Sequence, residues 1–239
     1  MKEPATARNV VNSTGNDVVA LAATNNERTR QYRFYSKILS AGEQALYNGS
    51  APGAMPFENY VWLLWSIKES VYKYKKRIAP DLVFSPTKIT VHHLETPSGN
   101  PPMAFESGRW DSAGQDNIND TGDRFYKGLI HCGSCILYSR SIIVDGIIST
   151  VVSGDKNFEN TWWGVRSIDH TGYAYQSSMV RSFVVSKLKS VLSLADLQIG
   201  KSRGGYPVVL REEEQMDIPL SLAHHDRFVA YSFQLIPSH

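Results

Sequence analysis

The chain has 239 residues, 42% hydrophobic and 20% charged, the composition of a globular protein able to bury one core or two small ones. Lys and Arg total 25 against 23 Asp and Glu, and a net charge of +2 gives no field of the kind nucleic-acid binders use. No apolar run approaches the roughly 20 residues of a membrane-spanning helix, and the first residues, MKEPATARNVV, lack a signal peptide's apolar stretch. A cytoplasmic location is expected.

In chain order, the β-branched stretch Asn16 to Ala22 predicts a strand. Arg28 to Tyr47 predicts a helix ended by Asn48-Gly49, and the following Gly/Pro-rich residues a loop. Phe57 to Arg77 predicts a second long helix, stopped by Pro80, and Thr87 to Leu94 alternates like a strand. Glu95 to Asp123 is dense in Gly, Pro, Asn, Asp and Ser and reads as an exposed excursion. Within it, Asp116 to Asp123 lacks the glycine and terminal glutamate of a calcium loop and reads as turns. Arg124 to Ser153 predicts two or three strands, with Asp145-Gly146 as a hairpin turn.

Gly154-Asp155-Lys156-Asn157 is the expected boundary. Beyond it lie an aromatic stretch (Trp162, Trp163, Val165), a helix from Gln176 to Ser193, and strands at Leu197–Arg203, Pro207–Arg211 and Leu220–Gln234. The order strand, helices, strands thus recurs. It predicts an α+β fold of two similar halves, residues 1–154 and 155–239, rather than a parallel α/β sheet.

Cys132 and Cys135 form a C-G-S-C arrangement whose flanks are β-branched and aromatic, with no helix start to activate a thiol. Only His131 is adjacent as a further zinc ligand. Two reduced thiols near a strand bend are expected.

The chemistry concentrates in Trp65 to Lys73, WSIKESVYK. Lys68 lies three residues after Trp65 and Lys73 four after Glu69, spacings that share a helix face. One carboxylate flanked by two ammonium groups could ligate Mg²⁺ and hold the phosphates that the metal bridges. The same residues also describe an amphipathic helix whose Glu–Lys pair is worth only ~0.3–0.5 kcal/mol. By themselves they leave both readings open.

This segment resembles the W-x-x-K-E-[AS]-x-x-K helix of the 4'-phosphopantetheinyl transferase superfamily. Gly15-Asn16-Asp17 resembles that family's G-x-D metal strand, followed, as there, by the pattern Arg33, Phe34, Ile38, Leu39, Glu43. Gly205-Tyr206-Pro207 matches its G-x-P turn, and Ser221-Leu222-Ala223-His224 its S-x-[SA]-H strand end. Pro97 to Gly154 carries no matching motif.

The resemblance implies transfer of 4'-phosphopantetheine from coenzyme A to a serine of an apo acyl or peptidyl carrier protein, dependent on Mg²⁺. It implies Asp17 and Glu69 as metal ligands, with Glu69 and Lys73 catalytic. Lys68, Lys73, Gly205, Pro207 and His224 are the implied CoA contacts, and His225 should face the other side of its strand. Larger relatives have the motifs in the reverse order, so a circularly permuted pseudo-dimer, active as a monomer, is expected: a metal half followed by a nucleotide half. Two departures stand out. Val19 occupies a position where many relatives have a second acid, and Tyr206 one where many have lysine. A non-catalytic CoA- or carrier-binding homologue is the alternative they favour. Lys75, Lys76 and Arg77, which close the predicted helix, are candidates for docking an acidic carrier or simply a solvated helix end.

Overall fold

A computed structural model describes residues 12–49, 55–98, 109–111 and 124–235. The expected turns at Asp116 to Asp123 lie outside the described residues. Strand β1 (Thr14–Ala20) runs into a 3-10 turn, then α1 (Asn26–Thr29), α2 (Tyr32–Tyr35) and α3 (Ala41–Gly49). Where one helix over Arg28 to Tyr47 is predicted, the chain breaks twice. Gln31 is extended, at φ −73° and ψ 128°. Ser40 then starts a new helix through a reciprocal capping box: Glu43 N–H donates to Ser40 Oγ (3.3 Å) and Ser40 N–H to Glu43 Oε2 (2.7 Å).

The long helix α4 (Phe57–Ile78) is as predicted, and the extended conformation forced before Pro80 ends it. Its fully buried face carries Tyr60, Leu64, Ile67 and Val71. After it come β2 (Thr90–Glu95), β3 (Arg109–Asp111), β4 (Tyr126–Cys132), β5 (Cys135–Val144), β6 (Ile147–Ser153) and β7 (Thr161–Ser167). Asp145 (φ 48°) and Gly146 (φ 75°) make the tight turn that joins β5 to β6, the two positive φ values a twisted hairpin needs. Cys132 and Cys135 face each other across the β4–β5 hairpin as free thiols. The rest of the chain forms α5 (Tyr173–Leu192), β8 (Leu197–Lys201), β9 (Pro207–Arg211), β10 (Glu214–Gln215), β11 (Leu220–His225) and β12 (Phe228–Gln234).

The architecture is α+β with antiparallel strand ladders in three sheets, ordered β1-β6-β5-β4-β2, β11-β12-β7-β3 and β10-β9-β8. Helix α4 covers one face of the first sheet, packing on Val19, Val91, Ile130, Leu137, Ile148 and Val152. Helix α5 covers the second, with Phe183, Val184 and Leu188 against Val229, Tyr231 and Phe233. Strand β3, which precedes residue 154, pairs with β7, which follows it.

The first two sheets meet where β1 lies beside β11. Residue numbers rise together along this seam, so the strands run parallel, and side chains replace the ladder. Asn16 N–H donates to Ser221 Oγ (3.2 Å) and Ala20 N–H to His225 Nδ1 (2.8 Å). Thr14 Oγ1 bonds Ser232 Oγ at 2.8 Å. Val18, Ile147, Val165, Ala223 and Ala230 fill the space between the sheets. The outer edge of β1 is therefore closed by another sheet's side chains rather than left as an open template.

Candidate functional site

Gly15 sets how closely β1 approaches α4. A Cβ at that position would sit 1.9 Å from Ser70 O and 2.8 Å from Tyr74 N, both backbone atoms that cannot swing away. Ser13 Oγ donates to Tyr74 O at 3.0 Å and ties the strand to the same turn of helix. Side chains alternate along a strand, so Gly15, Asp17 and Val19 all face α4. Asp17 thus arrives at the helix turn that carries Lys73. Lys73 Nζ donates to Asp17 Oδ1 at 3.0 Å and to Asn16 O at 2.9 Å.

Glu69 lies one turn earlier and is half-buried. Burial pushes its carboxyl above the ordinary carboxylate range; the Lys73 ammonium opposes this, and the negative charge of Asp17 adds to it. Asp17 and Lys73, themselves paired, thus lie within electrostatic reach of Glu69. His224 joins them from β11. Although the side chain is exposed, partial desolvation on its inner side holds the imidazole below the usual value, helped by Lys73 and then His225, while Asp17 opposes. Tyr173, at the start of α5, packs edge-on against it at 5.5 Å between ring centroids. His225 points the other way along the strand, as expected, and accepts from Ala20 N–H in the seam. Residues more than 200 positions apart in sequence thus share one electrostatic cluster.

Lys68 is a correction to the sequence reading. It is neither an open phosphate contact nor a solvated lysine, because its side chain is wholly buried. Its ammonium donates to Glu43 Oε2 (2.7 Å) and Ile38 O (2.6 Å). Glu43 in turn accepts from Val91 N–H (2.8 Å) and Ser40 N–H (2.7 Å), and its own carbonyl accepts from Tyr60 Oη (2.7 Å). The pair therefore locks α3, α4 and β2 together, and no face of Lys68 remains for a ligand. Trp65 is likewise structural, packed against Phe84 and Trp62.

The Gly205–Pro207 turn sits at the C-terminal end of α4. Gly205 takes φ +82°, a left-handed conformation that favours glycine. Pro207 opens β9, and its carbonyl accepts from Arg77 Nη1 (3.4 Å), while the Arg77 guanidinium lies over the Tyr206 ring at 5.1 Å. Arg77 thereby clamps the turn. Its neighbours are also engaged. Lys75 donates to Cys132 O (3.2 Å), and Lys76 to Leu82 O (3.1 Å) with its ammonium 5.9 Å from the Tyr72 ring centroid. The three basic side chains that close α4 thus each contact a different neighbour.

Asp17 and Glu69 offer hard oxygen donors of the kind Mg²⁺ prefers, and two carboxylates would leave positions for water and substrate oxygens. Val19, 3% exposed and in the core under α4, supplies no third acid. Among the described residues no group of three or more His, Cys, Asp or Glu could hold a metal, so any such ion would depend on just these two. Lys73 now neutralises Asp17 and would share it with the cation.

The family model of the 4'-phosphopantetheinyl transferase superfamily matches residues 13–117. That span contains Asp17, Glu69 and Lys73 and ends well before Gly205, Pro207 and His224. Neither the curated proteins nor the solved structures gave a match.

Proposed function

With residues 13–117 matching the 4'-phosphopantetheinyl transferase superfamily, we propose that this chain transfers 4'-phosphopantetheine from coenzyme A to a serine of an apo acyl or peptidyl carrier protein, with Mg²⁺, and releases 3',5'-ADP. The observation that carries the reading is the junction of Asp17, Glu69 and Lys73 with His224, brought from the far end of the chain. A bound Mg²⁺ would be held by Asp17 and Glu69 and would neutralise pyrophosphate oxygens. Glu69, directly or through a water it orients, would accept the serine proton as the serine oxygen–phosphorus bond forms and the pyrophosphate bond to the departing 3',5'-ADP breaks. Lys73 faces the oxygen of the breaking pyrophosphate bond and balances charge on the departing nucleotide. His224 contacts a CoA phosphate, and the Gly205–Pro207 turn lies against the adenine. The division into a metal half (1–154) and a nucleotide half (155–239) belongs to the same proposal, as does activity in a 26.7-kDa monomer.

Incubation with fluorescent CoA, Mg²⁺ and apo carrier protein tests it: the carrier should acquire one label on its serine, and sedimentation should show the active species as the monomer. The second reading, a non-catalytic homologue, draws on the buried Val19 and on Tyr206 held beneath Arg77. Tight CoA binding with no label on any carrier would favour it and overturn transfer.

A further inference from the structure

The face of the first sheet turned away from α4 carries a cavity of about 400 Å³, within the range of small-molecule sites. Leu94, Ile130 and Leu137 belong to the core beneath α4, so their neighbours along β2, β4 and β5 point to the opposite face. The strand register arranges those neighbours in two rows. His93, Leu129 and Tyr138 lie side by side across the three strands, and Glu95, Lys127 and Arg140 form the next row. The first row is largely apolar and the second fully charged. The loop after β6 makes the remaining wall with Lys156, Asn157 and Phe158.

Two local features work against stability here. Lys127 and Arg140 are directly opposite each other on adjacent strands, a like-charge pair that destabilises a sheet. Phe158 takes φ +61°, a conformation strained for a bulky side chain, and its ring lies 4.6 Å from the Arg140 guanidinium. Such violations gather where a ligand is bound. Among the described residues that line it, the cations are Lys127, Arg140, whose Nη2 donates to Asn157 O at 3.1 Å, and Lys156, and the carboxylate is Glu95, 3.6 Å from His93 Nε2. Asp155 offsets part of the Arg140 charge, although both its oxygens already accept from the backbone N–H groups of Asn157 and Glu159. Two strands, β6 and β5, separate β1 from β4, and Asp17 faces α4, so this cavity is distinct from the Asp17–Glu69 cluster.

We propose that the cavity binds a small amphipathic anion. A carboxylate or phosphate head lies between Lys127, Arg140 and Lys156, and an apolar body lies over Leu129, Tyr138 and Phe158. The anion relieves the Lys127–Arg140 repulsion, which accounts for two cations in facing positions. His93, which has no part in the transfer reaction, lines the apolar end, exposed and 3.6 Å from Glu95.

Calorimetric titration of the full chain with phenyl phosphate, benzoate, benzyl alcohol and inorganic phosphate tests this. Saturable one-to-one binding of phenyl phosphate or benzoate is expected, and the tighter of the two identifies the head group. Benzyl alcohol and inorganic phosphate should each bind at least ~10-fold more weakly, since each lacks one end of the ligand. Lys127→Gln combined with Lys156→Glu should weaken the anion at least ~10-fold, and Lys156→Glu alone, at an exposed position, should weaken it without touching the fold. Lys73→Ala protein, which lacks the cation of the transfer site, should bind the anion as wild type does. The proposal is overturned if wild type binds neither anion saturably, if benzyl alcohol or inorganic phosphate binds equally well, or if the lysine variants bind like wild type. Loss of binding in Lys73→Ala protein also overturns it, because the anion would then occupy the transfer site.

Discussion

Helix α4 carries two lysine–carboxylate pairs little more than one turn apart, and they differ in a single respect. Lys68–Glu43 is 0% exposed at both side chains, with an N–O distance of 2.7 Å. Lys73–Asp17 is 26% and 12% exposed, at 3.0 Å. The sealed pair has every polar partner satisfied by protein, so its charges cannot answer to anything outside. The open pair keeps access to solvent and lies beside Glu69 and His224. Equal chemistry therefore divides into scaffold and candidate site by burial alone, and the scaffold pair holds the helix in the register that presents the open one.

The sharpest way to break that comparison is to remove one lysine at a time. Lys68→Ala leaves Glu43 buried without its counter-ion and should cost about 3–5 kcal/mol in denaturant unfolding, the range for orphaning a buried charge. Lys68→Met with Glu43→Leu should recover most of that loss. Lys73→Ala should cost no more than about 1 kcal/mol of stability, as partly exposed pairs do, while removing transfer. A Lys73→Ala protein that unfolds beside a robust Lys68→Ala protein would invert the assignment.

Glu69→Gln keeps the shape of the site and removes its base. Transfer should fall at least ~10²-fold, with CoA binding in the absence of Mg²⁺ little changed. Stability supplies an independent readout. A carboxyl whose folded pKa is raised contributes stability that is fully present below its unfolded value, near 4.5, and is lost as pH climbs through the folded one. Wild type should therefore lose stability relative to Glu69→Gln as pH rises from that value; a pH-independent difference would show that Glu69 is not strained by burial and Asp17.

A smaller effect is expected at His224. His224→Ala should raise the KM for CoA several-fold, leave the KM for carrier unchanged and leave the melting temperature within a few degrees, since the side chain is exposed. Smallest of all is Lys76→Ala. The ammonium bridges Leu82 O and Tyr72, so its removal should cost under about 1 kcal/mol. The KM for carrier should not move, and a several-fold rise would restore the helix end as a docking surface.

Much of this molecule follows from local rules that operate within a few residues. The periodicity of Phe57 to Arg77 sufficed for α4, Asp145-Gly146 for the β5–β6 hairpin, and the alternation at Leu220 to His225 for His224 and His225 facing opposite ways. The break before α3 was also readable, because Ser40 and Glu43 have capping-box spacing. The helical character of the flanking residues masked it.

What the sequence by itself determined, then, is the long helix α4, most of α5, the β5–β6 hairpin and the motifs that bear chemistry. Tertiary structure alone decided which of two similar lysines is sealed and which is open. It also decided that Arg77 clamps Tyr206 and Pro207, and that β3 joins β7. The physical reason is range. Propensity and turn chemistry act over three or four residues, whereas burial and the partners of a charge depend on segments 25 to 200 residues away, and those are neighbours only once the sheets have closed.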